Sequence, residues 1–333
     1  MSQSPPASKV SPTPKTHPSL KKLLETSGRF LLVLLALTPV VYSTWRNWPE
    51  VRLALLQAHW PRLLEGLGIL LLAMPLMGLI PWLALRHLGV RQSVRKVMGL
   101  YFLSQLAKYI PGGIWAYPGR MVAYEKSGVG RVQAILSVSR EVVALFLGSA
   151  AVALAGVFLK VQMPLWMQAA TVFGILSCAA AVILTLVPAV WRWLSRIPFL
   201  RRSALAVLGD VGGTFNLRWL PGTLVISLVF WLAAGWGFLQ LIRAVAPAAP
   251  IGWLEAGSIF ALAWCVGFVI VFLPAGFGAR EIVLSYLLSG YVSTADALTI
   301  ALLARFWWMA AEALYVALSP LLLFEKAESL PDQ

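Results

Sequence analysis

The stretch KYIPGGIWAYPGR, Lys108 to Arg120, decides how this chain is read. Long apolar sequence flanks it, yet the stretch itself holds two prolines, three glycines, a lysine and an arginine. Proline removes a donor and clashes with the preceding turn, so a straight helix does not run through it easily. In hydrocarbon each unpaired backbone group costs several kcal/mol, so such a break must face protein or a watery cavity.

The surroundings are those of a membrane. The chain is 59% hydrophobic and 12% charged, where a soluble domain has about 25% charged residues. FLLVLLALTPVVYSTW (30–45) follows a basic region, but no small-x-small cleavage site comes after it, so it reads as an uncleaved first span. Further apolar runs cover roughly 63–85, 132–158, 165–188, 221–243 and 296–318, each near the ~20 residues a spanning helix needs. The expected fold is an all-α polytopic membrane protein with about six full spans. Two broken segments, 97–126 and 257–290, are expected as re-entrant hairpins, and their likeness raises an inverted repeat. Residues 1–28 read as a disordered basic tail, 29–320 as the transmembrane domain, and 321–333 as a short polar tail.

The net charge is +14. In a soluble protein this would suggest nucleic acid. Here the basic residues cluster in short loops, 86–96 and 191–202, and no nucleic-acid motif appears, so no nucleic-acid partner is expected. By the positive-inside rule these loops and the N-terminus face the cytoplasm of a plasma membrane. The 46–62 segment reads as a mixed-charge loop. Trp45, Trp48, Trp60, Trp191, Trp193 and Trp253 fall near span ends, as interfacial belts do. Cys178 and Cys265 lie singly in apolar runs, and His17, His59 and His87 are scattered. Neither set suggests a metal or another cofactor. Asp210 and Asn216 read as surface residues of an interfacial piece.

FLPAGFGARE (272–281) resembles the opening stretch: an apolar residue, Pro-x-Gly, then arginine. Pro111 and Pro274 lie 163 residues apart, near half the chain. Paired interruptions in corresponding halves point to a transporter's midplane site. A broken helix frees N–H groups at the start of its second half and places partial positive charge there, which favours an anion. Gly112, Gly113, Gly276 and Gly278 permit tight turns and close backbone approach. Lys108, Arg120 and Arg280 add full charges, and the arginine fork suits phosphate. The bland alternative is that the breaks are kinks and the arginines snorkel.

Four more charges lie within spans: Arg140, Glu141, Arg305 and Glu312. Such residues are costly and need partners. Arg140 and Glu141 point about 100° apart and do not pair with each other. Glu141 is expected to pair with Arg120 or Arg280. Arg305 and Glu312 share a helix face but are too far apart to touch. The bland alternative for all four is a structural ion-pair network that holds the bundle together.

The residues KYIPGGIWAYPGRMVAYEKSGV, the next span with Glu141, LPAGFGARE and the late Arg305 resemble the lysylphosphatidylglycerol synthase transmembrane-region family of flippase-like membrane proteins. The likeness runs from about residue 30 to 320. One branch of that family carries Pro-Gly-x-x-Gly-Glu, which this chain lacks after Pro111. The resemblance implies a lipid-handling helical module with re-entrant segments, linked to moving anionic, polyprenyl-linked or hopanoid-type lipids between leaflets. Two-part members add a soluble aminoacyl-transfer domain. The chain ends soon after its last span, so that activity is not implied.

The leading expectation is a lipid translocase binding an anionic or polyprenyl-phosphate headgroup, with Glu141 and Glu281 as counter-ions in the empty site. No G-x-x-x-x-G-K-[ST] loop for ATP is present. An intramembrane lipid-modifying enzyme is a second reading, although no catalytic constellation is visible. A non-transporting partner of a membrane glycosyltransferase or of lipid synthesis is a third. On the leading reading, Arg120→Ala and Arg280→Ala lower headgroup binding without unfolding the bundle, and Gly276→Val is worse.

Overall fold

In the computed structural model the described residues are Trp45, 48–109, 115–158, 165–184, Trp193, 195–196, 217–270, Leu273 and 276–323. The first expected span, Pro111, Gly112, Gly113, Pro274, Trp191, Asp210 and Asn216 lie outside them, as does the side chain of Cys178. The described residues form ten α-helices and no strand. They are α1 (Trp48–Gln57), α2 (Trp60–Arg86), α3 (Val94–Gln105), α4 (Ala116–Lys126), α5 (Arg131–Phe158), α6 (Leu165–Leu184), α7 (Leu220–Val245), α8 (Trp253–Val269), α9 (Ala279–Leu288) and α10 (Thr294–Leu323). Short 3₁₀ turns cover Leu106–Tyr109 and Leu217–Trp219.

Among the described residues, four helices are long and apolar enough to cross a membrane: Trp60–Arg86, Arg131–Gly156, Leu217–Val245 and Thr294–Leu323. Their outward faces are apolar. Leu72, Val225 and Phe306 are among the most exposed large side chains. Water would not tolerate that arrangement over a whole bundle, whereas lipid does. The chain is a multi-pass all-α membrane protein.

The 46–62 segment is not the expected loop. α1 occupies most of it, because Val51 is fully buried and the helix packs against α10. Its arginine and glutamate masked that apolar anchor in the composition. Trp48, Trp60 and Trp253 are exposed at helix starts.

Both halves have the same order of elements: a long helix, a broken pair, then a long helix. They run α2, α3–α4, α5 and α7, α8–α9, α10. Ala116 and Ala279 open the second member of each broken pair, Arg131 and Thr294 the long helix after it, and both intervals are 163 residues. In each pair the second helix packs back on the first. Ser93 caps α3, its hydroxyl accepting from the Lys96 N–H at 3.3 Å.

Small residues let the long helices approach. α2 runs along α7, where a Cβ on Gly66 would lie 2.7 Å from the Gly237 carbonyl oxygen. α7 crosses α8 at Gly235, where a Cβ would lie 2.6 Å from the Gly257 Cα. Between helices in lipid, such close packing replaces the hydrophobic drive. Gly235→Leu is expected to destabilise the bundle by about 1–3 kcal/mol or more through overpacking. Thermal unfolding in detergent checks this, and an unchanged midpoint would show the crossing to be loose. The centre is aromatic: Trp231 is fully buried, meets Trp264 edge-on at 5.0 Å, and donates its indole N–H to the Leu145 carbonyl at 3.1 Å.

Candidate functional site

The two broken pairs meet at one cavity of about 240 Å³. Its charged lining is Lys108, Arg120, Glu141, Arg280 and Glu312, and Gly267 and Gly276 form part of its wall. Of the residues singled out in the sequence, Lys108, Arg120, Glu141, Gly276 and Arg280 therefore share one space.

Arg120 and Glu141 pair directly, from α4 to α5, and each is 1% exposed. The Arg120 Nε–H also donates to the Ser104 hydroxyl at 2.8 Å, and its guanidinium lies 4.2 Å from the Tyr101 ring centre. Arg120 is thus a committed structural cation, not one held open for a ligand. Removing its side chain strands a buried carboxylate, so Arg120→Ala is a stability variant rather than a clean binding variant.

Glu312, on α10, gathers three donors. It pairs with Lys108, accepts from the Tyr109 hydroxyl at 2.6 Å, and accepts from the Trp308 indole at 2.7 Å. Lys108 and Tyr109 sit in the 3₁₀ turn where α3 ends. The contact therefore ties the first broken pair to the last long helix.

Arg280 is different. It has no carboxylate partner and no hydrogen bond among the described residues, and its Nε is buried without an acceptor. Its guanidinium lies 5.7 Å from the Trp264 ring centre, a cation–π contact. Shape holds its stem. A Cβ on Gly267 would lie 2.5 Å from the Arg280 Nε, and one on Gly276 would lie 2.9 Å from it. Gly276 also has φ +70, a left-handed conformation that suits glycine. The two glycines form a slot that grips the arginine between α8 and the start of α9.

Behind Arg280, Glu281 faces Arg305 of α10, with 3.7 Å between charged atoms. The other Glu281 oxygen accepts from the Gly278 N–H at 2.7 Å. The start of α9 is therefore capped by the chain's own carboxylate, and that N–H is not free for a ligand. On this side the group left without a partner is the Arg280 Nε rather than the Gly278 amide. Arg305 also lies 3.6 Å from the Phe277 ring centre. Glu281 and Arg305 border a small void next to Arg280, not the main cavity. Arg140 is on another face of α5, 5.3 Å from the Trp219 ring centre and away from the cavity lining.

Sequence reasoning missed the aromatic walls, Tyr101, Tyr117, Trp264 and Trp308, together with Gln105 and Gly267. These types are indistinguishable from core residues in an apolar run. Glu312 carried a signal, as an acid deep in a span, but its partner lies 204 residues away.

A bundle of apolar helices, broken in each half around a charged cavity, defines the class: a multi-pass membrane protein with a polar site inside its helices. The model of the lysylphosphatidylglycerol synthase TM region matches residues 28–310, and the chain belongs to that family. No curated protein matches it.

Proposed function

We propose that this protein is a lipid translocase, of flippase or scramblase type, that binds the phosphate of an anionic or polyprenyl-linked lipid against Arg280. The observation that carries this is the imbalance of charge. The cavity has three cations and two carboxylates, and both carboxylates are already paired, with Arg120 and Lys108. Arg280 remains as a guanidinium with no acceptor among the described residues, its Nε buried, a state that is costly unless an anion arrives. Both carboxylates are already engaged by cations, so neither stands free as a general base, which favours carriage over chemistry. Family membership supports a lipid-related role.

The test is mass spectrometry of lipids that co-purify in mild detergent, wild type beside Arg280→Ala. One phosphate-bearing lipid should be enriched in the wild type and lost in the variant. Bulk lipid alone, unchanged by the substitution, would overturn the site. A leaflet-exchange assay in liposomes with the enriched lipid then tests movement.

A further inference from the structure

One cation within the spans has no part in the cavity. Lys108, Arg120 and Arg305 each face a carboxylate, and Arg280 lies in the cavity. Arg140 does neither, and among the described residues it has no carboxylate or hydrogen-bond partner. Its Nη1 is buried without an acceptor, while the residue as a whole is partly exposed. The guanidinium lies over the Trp219 ring at the start of α7, and Trp219 is itself 2% exposed. The place is a notch between two helices. A Cβ on Gly148 of α5 would lie 3.3 Å from the Ser227 backbone of α7, so the helices touch there. Arg140 and Trp219 both lie eight residues before that contact, about 12 Å along the axes. There α5 and α7 hold a guanidinium and an indole between them. Ser137, one turn before Arg140, donates to the Pro81 carbonyl, near the end of α2 that leads into the basic loop 86–96. The notch therefore lies toward the basic end of the bundle. Near this level of α7, Leu217 and Val225 are exposed, as lipid-facing residues are.

We propose that Arg140 and Trp219 form a second phosphate site, on the flank of the bundle and separate from the cavity, which holds a phospholipid of the leaflet at the basic end. An arginine at membrane depth needs a counter-charge. The carboxylates packed among the helices here are already engaged, Glu141 with Arg120, Glu312 with Lys108 and Glu281 with Arg305. The membrane itself supplies the anion, as the phosphate of one of its lipids. The arginine stem carries the charged head toward the interface. Its planar fork takes two phosphate oxygens while its face rests on the indole. The acyl chains lie against the apolar flank of α7. Because Arg140 is outside the cavity lining, this lipid is a fixed one that fills the notch between α5 and α7, not the transported cargo.

The test titrates delipidated full-length protein with phosphatidylglycerol by native mass spectrometry, beside diacylglycerol of the same chains, which lacks the phosphate. Arg140→Leu is made both in the wild type and in Arg280→Ala, which keeps the cavity out of the comparison. In either background it should lower the affinity of one bound phosphatidylglycerol about tenfold or more, the effect of losing a charge-assisted contact. Diacylglycerol binding should not change. The leucine removes a charge from an apolar place, so the substitution does not threaten the fold. Arg140→Lys keeps the charge without the fork and should retain part of the affinity. Unchanged phosphatidylglycerol affinity in Arg140→Leu would overturn the site, leaving an arginine that only snorkels. A loss that disappears in the Arg280→Ala background would overturn its separateness from the cavity. Displacement of the Arg140-dependent lipid by millimolar inorganic phosphate would assign the site to free phosphate and overturn the lipid.

Discussion

Arg120→Ala is expected to destabilise the bundle by about 3–5 kcal/mol, the range for breaking a buried ion pair from one side. Arg120 and Glu141 are each 1% exposed, so water does not reach in to replace the lost partner. The loss leaves the Glu141 carboxylate uncompensated and removes the donor that Ser104 accepts from. Thermal unfolding in detergent measures it. The control is the double variant Arg120→Met, Glu141→Leu, which removes both charges and keeps apolar volume. It should recover most of the lost stability, because the cost lies in the stranded charge and not in the absent pair. If the double variant is as unstable as the single one, the pair acts through packing and the electrostatic account fails.

Gly267→Ala should have the opposite profile: a nearly unchanged unfolding midpoint and loss of the co-purifying lipid. The new methyl would lie 2.5 Å from the Arg280 Nε and 2.6 Å from its Cγ. Something must move, and the arginine side chain gives way more readily than two packed helices. Alanine is a good helix residue, so α8 itself gains slightly from the change. The expected result is an arginine expelled from its slot, with retained lipid falling about as far as in Arg280→Ala. Full lipid retention in Gly267→Ala would show that the slot does not position the cation. Gly276→Val offers no such separation, since a β-branched residue at φ +70 also strains the backbone.

The spans were legible because hydrocarbon demands long apolar runs, and α2, α5, α7 and α10 begin and end within a few residues of the pattern. The breaks were legible because proline and glycine clusters have few uses inside such runs. The sequence also raised the Arg120–Glu141 contact, whose members lie 21 residues apart on adjoining helices. It could not rank the arginines. Arg120 and Arg280 follow similar Pro-x-Gly stretches, yet one is committed to a carboxylate and the other is gripped by glycines. That difference depends on which long helix brings an acid to which hairpin, a property of the packed bundle. The first half supplies its cation from the hairpin and its acid from the long helix, and the second half reverses this with Glu281 and Arg305. Gly267 was illegible for a plainer reason: in an apolar helix, a glycine that makes room for an arginine looks like one that makes room for a neighbouring helix.

The tie between Lys108 and Glu312 bears on how the protein is made. Arg120 meets its acid 21 residues later, so that pair can close while the first half is still leaving the ribosome. Lys108 must wait for a residue 204 positions downstream. At about 5–20 residues per second, that is a delay of roughly 10–40 seconds. During that interval a lysine destined for membrane depth has no counter-charge, so the first hairpin stays near water or in the insertion machinery. The last long helix is then the keystone of biogenesis. A chain cut before Glu312 should insert its early spans and be cleared by quality control.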